Sequence, residues 1–223
     1  MATTTTPSRG AFIVFEGIDR CGKTTQCAKL IAALQAKQHS VFQLRFPNDA
    51  TESGKLLRAF LTNKTNMDDR AAHLLFSANR WECVKLMTEK LKEGTTIVCD
   101  RYAYSGVAFT AFKGYDLEWC RSPDRGLPAP DAVLYLQLSI EEAMQRGGFG
   151  NERYEKKEAQ TIVKRIYEEE LRDEHWQVFD ANQSVDELHA QLLAASERAI
   201  ADARHKPLSQ MFAAGEFKEH HQR

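Results

Sequence analysis

The chain has no apolar run long enough to cross a membrane, and residues 1–7 lack the apolar core of a secretory signal. The net charge is only −1 and no basic tract is present, so we expect a small anion as partner, with no nucleic acid and no membrane. The five cysteines are odd in number and form no Cys-x-x-Cys pair, which excludes a disulfide framework or a zinc site. Reduced thiols predict a cytoplasmic protein, with nuclear and mitochondrial pools left open.

The sequence contains no internal repeat or linker, and its 223 residues predict one domain. We assign residues 1–9 to a flexible N-terminal tail and 10–206 to the domain. Residues 207–223 are assigned to a C-terminal tail, in which Met211 and Phe212 are candidates for docking. Three glycines and two arginines between 146 and 154 predict a mobile cationic lid at about 146–157, the alternative being a solvated loop.

Short apolar runs alternate with helical patterns along the whole chain. They predict strands at 11–15, 41–46, 95–99, 132–138 and 175–179, and a closing helix from Val185 to Ala203. This alternation predicts an α/β three-layer fold, a five-stranded parallel sheet with helices on both faces, whose ligands bind beyond the carboxyl ends of the strands. A long amphipathic helix is predicted over 68–93, with candidate core positions Leu74, Leu75, Ala78, Trp81 and Leu86.

Residues 17–24 match the phosphate-binding P-loop pattern G-x-x-x-x-G-K-[ST] at every fixed position. The motif lies between a predicted strand and a predicted helix, where backbone N–H groups and the helix dipole favour an anion. Lys23 is predicted to contact the β- and γ-phosphates of ATP, and the Thr24 hydroxyl to ligate Mg²⁺. The residues predicted to bind ATP are Gly17, Ile18, Asp19, Arg20, Cys21, Gly22, Lys23, Thr24 and Thr25, together with Arg146 of the lid.

Charged residues inside the P-loop and at the end of the third predicted strand suggest further roles. A negative charge at Asp19 beside a triphosphate is costly, so a sugar hydroxyl of the acceptor is its more natural partner. Arg20 is placed to stabilise transferred charge as an arginine finger. Asp100 could hold the water shell of Mg²⁺ and Arg101 a second phosphate, although an ion pair at a strand end is the plain alternative.

Several blocks of the sequence strongly resemble thymidylate kinases of the eukaryotic kind, in order from about residue 9 to 207. These are 15–26, Arg45-Phe46-Pro47, 73–82, 100–110 and 149–154. The resemblance implies transfer of the ATP γ-phosphoryl group to thymidine 5′-monophosphate (dTMP), giving dTDP and ADP for dTTP and DNA synthesis. It also implies Mg²⁺, a lid and a homodimer.

The resemblance also implies roles for individual residues. Asp19 would hold the sugar 3′-hydroxyl, Phe76 would stack on thymine, and Arg80 would bind its carbonyl edge, although spacing alone favours core for Phe76 and surface for Arg80. Arg101 would bind the acceptor phosphate, Phe109 would pack against the sugar, and Tyr154 would close from the lid. The implied catalytic residues are Arg20, Lys23, Asp100 and Arg101. The implied acceptor-binding residues are Asp19, Arg45, Phe46, Pro47, Phe76, Arg80, Arg101, Ser105, Gly106, Phe109 and Tyr154.

One position departs from the family pattern. Asp49 stands where related sequences usually have an arginine that grips the acceptor phosphate, and an aspartate there would repel a dianion. This departure predicts a weakened acceptor site or one altered in specificity.

Three other functions are compatible with a P-loop. A deoxynucleoside kinase would need no acceptor-phosphate arginine, so the block 100–102 argues against it. A signalling switch would need a guanine-reading N-K-x-D motif, and residues 63–66 lack the aspartate. An inactive paralogue is disfavoured because Arg20, Lys23, Thr24 and Asp100 are all present.

Overall fold

The computed structural model describes residues 9–150 and 152–213. Five parallel strands form one sheet in the order β2-β3-β1-β4-β5, which confirms the predicted fold class. The strands are β1 (Phe12–Glu16), β2 (Val41–Arg45), β3 (Thr96–Asp100), β4 (Ala132–Gln137) and β5 (Trp176–Asp180). None of the helices in these ranges is long and apolar enough to span a membrane.

Helices cover both faces of the sheet. They are α1 (Lys23–Ala36), α2 (Glu52–Leu61), α3 (Asp69–Trp81), α4 (Val84–Lys92), α5 (Ala103–Ala111), α6 (Leu117–Arg121), α7 (Ile140–Gln145), α8 (Lys157–Arg165) and α9 (Val185–Ala203). A 3₁₀ turn, Ser122–Asp124, follows α6, and α8 continues as a π-helical segment, Ile166–Leu171. Ser139 and Ser184 cap α7 and α9 through capping boxes, which fix where these two helices begin.

Alternate residues of the strands enter two separate cores, as expected for a sheet that is covered on both sides. Phe12 and Val14 of β1 join Ile97 of β3 in one core, whereas Ile13 and Phe15 join a second core that includes residues of α1 and α9. All five residues of β1 are fully buried. The central strand is therefore a rigid base for the loop that follows it.

The predicted long helix over 68–93 is wrong, because the chain forms two helices, α3 and α4, with a break at Glu82 and Cys83. Its predicted core face is wrong as well. Leu74, Ala78, Trp81 and Leu86 are exposed and Leu75 is half-buried. The buried residues of α3 are instead Ala72, His73, Ser77, Asn79 and Arg80. A polar face can be buried here because its side chains find hydrogen-bond partners, which the apolar periodicity of a sequence does not reveal.

Residues of both predicted tails pack against the domain. Arg9, assigned to the N-terminal tail, is buried and donates to both carboxylate oxygens of Asp131, at 2.8 and 2.6 Å. Met211, assigned to the C-terminal tail, is buried and exchanges two backbone hydrogen bonds with Gly126 and Leu127. Phe212 packs edge-on against Tyr104, with ring centroids 6.1 Å apart. The rest of both tails, 1–8 and 214–223, lies outside the described residues.

Candidate active site at the carboxyl edge of the sheet

The P-loop joins β1 to α1, and its course depends on two glycines. Gly17 has φ 144° and Gly22 has φ 103°, which L side chains rarely adopt. A Cβ on Gly17 would also lie 2.7 Å from the carbonyl oxygen of Leu136. Gly22 leads directly into α1, and no side chain in the described ranges caps that helix. The helix N-terminus therefore presents N–H groups and a partial positive charge to an anion.

Lys23 lies inside the hollow of this loop. Its buried ammonium donates to the carbonyl oxygens of Gly17 at 3.1 Å and Ile18 at 2.7 Å, and lies 3.4 Å from Cys21 Sγ. Gly17 and Ile18, which are predicted to bind ATP, hold Lys23 through their carbonyl oxygens, and neither residue lines a cavity at this edge of the sheet.

Thr24 and Asp100 meet across the edge of the sheet, because β1 and β3 are parallel neighbours. The Thr24 hydroxyl donates to Asp100 Oδ2 at 2.6 Å. Asp100 Oδ1 is buried and has no hydrogen-bond partner within the described part of the chain. A buried orphan carboxylate oxygen beside a hydroxyl suits a hard cation, since Mg²⁺ takes oxygen ligands and keeps several waters. The two residues predicted to hold Mg²⁺ therefore fit it.

Arg20 connects the P-loop to the predicted lid. Its Nε donates to Glu155 Oε1 at 2.8 Å, and its terminal nitrogens donate to the carbonyls of Gly147 at 3.2 Å and Gly148 at 2.7 Å. Arg146 reaches back in turn, with Nη1 2.9 Å from the Arg20 carbonyl oxygen. The lid is thus fastened to the loop that it is predicted to cover.

Arg101 and Asp19 form an ion pair between the P-loop and the end of β3. Arg101 Nη1 also donates to Ser105 Oγ at 3.1 Å and to the Gly17 carbonyl at 3.3 Å, and its guanidinium lies 5.3 Å from the centre of the Phe109 ring. Burial by itself would lower the pKa of Arg101, but Asp19 and neighbouring acidic groups raise it, so the guanidinium remains charged.

Two positioning residues were not identified from the sequence. Glu16, fully buried, accepts from Tyr102 N, Ser105 N, Ser105 Oγ and Tyr167 Oη at 2.6 to 3.1 Å, and burial raises its pKa. It fixes the turn that carries Arg101. Gln160 donates to Asp19 Oδ2 at 2.6 Å and accepts from Asp19 N at 2.8 Å. Glu16 could have been found from the sequence, because a glutamate at the end of an apolar strand is unusual. No local sequence pattern indicates the role of Gln160.

A cavity lies between α2, α3, α5 and the lid. Every residue predicted to bind the acceptor lines it, namely Asp19, Arg45, Phe46, Pro47, Phe76, Arg80, Arg101, Ser105, Gly106, Phe109 and Tyr154. Sequence reasoning missed several further lining residues, among them Arg58, Asp69, His73, Tyr102, Lys113 and Glu152. Their spacing along the sequence could not reveal them, because they come from separate helices and loops. We call this space the acceptor cavity.

The inner end of the acceptor cavity carries a buried ion pair. Arg80 Nε and Nη2 donate to the two carboxylate oxygens of Asp124 at 3.0 and 2.6 Å, and Ser77 Oγ donates to the same carboxylate at 2.7 Å. Beside it, His73 contacts Thr110 Oγ1 and the Cys120 carbonyl, both at 2.9 Å. Burial, helped by Arg80, lowers the pKa of His73, so the imidazole is neutral at pH 7.

Tyr154 of the lid closes the other side of the acceptor cavity. Its ring lies 5.6 to 6.3 Å from the rings of Phe60, Phe109 and Phe112. Its hydroxyl accepts from Lys113 Nζ at 2.8 Å, and that ammonium also pairs with Asp69 at 2.5 Å. Of these rings, those of Phe109 and Tyr154 line the cavity and give this side of it an aromatic surface.

A second, larger cleft runs along the P-loop from Asp19 to Gln26, and Asp100 and Arg146 also line it. We call it the P-loop cleft. The two spaces share four lining residues, Asp19, Arg45, Arg101 and Glu152. A phosphate chain entering from the P-loop would meet a ligand of the acceptor cavity at this junction. Asp49 lines neither space, and its carboxylate accepts from Arg58 Nε at 3.1 Å.

The family model described as thymidylate kinase matches residues 15–192. The chain is 49% identical over 207 residues to thymidylate kinase from Homo sapiens, which covers 92% of this chain and 98% of that relative. It is 47% identical over 207 residues, with the same coverages, to the enzyme from Danio rerio. Among solved structures, thymidylate kinase from Candida albicans has a TM-score of 0.81 at 35% identity, covering 92% of this chain and 99% of that one.

Proposed function

Because the chain belongs to the thymidylate kinase family and is therefore a kinase, we propose that it transfers the γ-phosphoryl group of ATP to dTMP, giving ADP and dTDP. One observation carries the proposal most strongly. The P-loop cleft and the acceptor cavity meet at a junction lined by Arg45 and Arg101. Two substrates placed in these spaces would bring their phosphates together there, which is the positioning that phosphoryl transfer requires.

The residues of the P-loop cleft support roles in binding and charge stabilisation. Lys23 and the N-terminus of α1 would hold the β- and γ-phosphates. Arg20, which Glu155 orients, would stabilise charge on the transferred group. Thr24 and, through water, Asp100 would hold Mg²⁺, which when bound neutralises phosphate charge. A phosphate monoester acceptor is largely ionised at neutral pH, so no general base is needed.

The acceptor cavity supports selection of a nucleotide base. Asp124 fixes the Arg80 guanidinium so that it can donate to a carbonyl edge, and Phe76 offers an aromatic face on the same helix. Asp19 would bind a sugar hydroxyl, with Phe109 beneath the sugar and Tyr154 above it. Ser105, Gly106, Phe46 and Pro47 would complete the wall.

The oligomeric state and compartment are part of the proposal. Leu74, Ala78 and Trp81 form an exposed stripe at helical spacing on α3, with Leu74 50% and Trp81 41% exposed. Such an apolar surface suits a second copy of the chain, so we expect a homodimer. Five free and buried cysteines suit a reducing compartment such as the cytoplasm.

The test is ADP release with Mg²⁺-ATP and, separately, dTMP, deoxyuridine monophosphate, deoxyguanosine monophosphate and thymidine at equal concentrations. Turnover with dTMP and none with thymidine is expected, and chelation of Mg²⁺ should abolish it. Turnover with thymidine alone would refute the proposal and indicate a nucleoside kinase. The ranking of the other monophosphates defines the acceptor range.

A further inference from the structure

The acceptor cavity has a further guanidinium in its wall, on the side formed by α2. Arg58 on α2 lines the cavity, and its side chain is about a quarter exposed, at 26%. Its Nε donates to Asp49 Oδ2 at 3.1 Å, and its Nη1 donates to Glu152 Oε1 at 3.2 Å. Arg58 is therefore held between a loop carboxylate on one side and a lid carboxylate on the other.

The charges at the junction of the two spaces balance to zero. Asp19 and Glu152 contribute two carboxylates, and Arg45 and Arg101 contribute two guanidinium groups. Arg101 is already paired with Asp19. A phosphate monoester brings about −1.5 to −2 charges at pH 7, so a further cation at this place would stabilise it. Arg58 contacts Glu152, which itself lines the junction, and so its guanidinium is one contact away.

We propose that Arg58 binds the 5′-phosphate of the acceptor nucleotide. This inference rests on the proposed function, because it requires a nucleoside monophosphate as acceptor. Asp49 orients the guanidinium through Nε, and the phosphate takes the place of Glu152 at Nη1. A dianionic phosphate attracts a guanidinium more strongly than a single carboxylate does, and its oxygens match the planar fork of arginine.

The assignment changes the expected role of Asp49. The sequence predicts that this aspartate repels the acceptor phosphate, but it lies outside both spaces and its carboxylate contacts Arg58. Asp49 is thus a positioning residue that supports an arginine from the next helix. The site then keeps its positive charge without an arginine at position 49.

The decisive experiment compares the dissociation constants of dTMP and thymidine, measured by calorimetry, for the wild-type chain and Arg58→Gln. The substitution should weaken dTMP binding about tenfold to a hundredfold, the range for a hydrogen bond between charged groups, and leave thymidine binding unchanged. Arg58→Lys should restore part of the loss, because it keeps the charge but not the fork. Lys55→Gln is the matched control, since Lys55 is a cation of the same helix that pairs with Glu52 outside both spaces.

The variant Asp49→Asn tests whether Asp49 orients Arg58 or repels the acceptor phosphate. If Asp49 orients Arg58, the variant should bind dTMP several-fold more weakly. Unchanged or tighter dTMP binding would overturn the orienting role, and an unchanged ratio of dTMP to thymidine affinity in Arg58→Gln would overturn the phosphate contact. Absence of dTDP formation by the wild-type chain would instead refute the proposed function, so the two failures are distinguishable.

Discussion

Substitution of Gly106 by alanine would test how closely the acceptor cavity is built around the buried guanidinium. A Cβ at this position would lie 2.6 Å from Arg80 Nη2 and 3.1 Å from its Cζ. Arg80 cannot simply withdraw, because it is 2% exposed and donates two hydrogen bonds to Asp124. The guanidinium must therefore shift by several tenths of an ångström and weaken that pair.

The expected loss of stability is modest and the expected loss of binding is larger. Loss of a hydrogen bond between charged groups costs about 1.5–3 kcal/mol, and alanine in a helix returns about 1 kcal/mol, which leaves about 0.5–2 kcal/mol. For a chain of this size that corresponds to a Tm lower by roughly 1–8 °C. The KM for dTMP should rise about tenfold to a hundredfold, because a displaced positioning group has effects of that order, while the KM for ATP stays unchanged.

The assays are differential scanning fluorimetry and steady-state ADP release. Gly147→Ala is the control because a Cβ there would meet no neighbouring atom of the described residues within 4 Å. An unchanged KM for dTMP in Gly106→Ala would refute the role given to Arg80 at the base. A rise in the KM for ATP of equal size would show that the effect is general unfolding rather than local displacement.

Three further predictions concern the reaction and its pH dependence. Asp100→Asn should raise the Mg²⁺ concentration required for activity about 10–100-fold, and an unaltered Mg²⁺ titration would contradict the role of this carboxylate. Arg20→Ala should lower kcat by ~10³-fold or more with little change in ATP binding, and single-turnover rates equal to wild type would remove Arg20 from the mechanism. Burial lowers the pKa of His73 in the native chain. Below about pH 6.5 the unfolded chain therefore binds a proton that the native chain does not bind. The free energy of unfolding consequently falls as the pH drops through that region. His73→Gln should flatten this slope by up to about 1.4 kcal/mol per pH unit in urea unfolding, and an equal slope in both chains would refute it.

The sheet and the P-loop were predictable because their signals are local. Short apolar runs marked the strands, and the glycines of the P-loop stand where the backbone needs positive φ. The last helix was predicted with its observed bounds, Val185–Ala203, and a capping box of Ser184 and Glu187 fixes its start.

The buried face of α3 was not predictable from apolar periodicity. His73, Ser77 and Arg80 point inward because Thr110, Asp124 and the Cys120 carbonyl satisfy them, and these partners lie 37 to 47 residues away in the chain. Leu74 and Trp81 lie on the opposite, exposed face of the helix as a consequence. A helix that lines a polar cavity inverts the usual pattern of burial.

The lid contacts depend on still longer separations. Glu155 meets Arg20 across 135 residues, and Gln160 meets Asp19 across 141. Only the resemblance to a known family indicated acceptor-binding roles for Phe76 and Arg80, and the structure brings both to the same cavity. The roles themselves stay predictions until binding is measured.

In the proposed reaction, the P-loop cleft and the acceptor cavity act together to pass a phosphoryl group between two nucleotides. Incubation of the wild-type chain with dTMP, Mg²⁺ and ATP labelled at the γ-phosphate, followed by identification of the labelled product, tests this directly. Label in dTDP is expected. Label in inorganic phosphate alone would contradict it, because water rather than the acceptor phosphate would then occupy the junction.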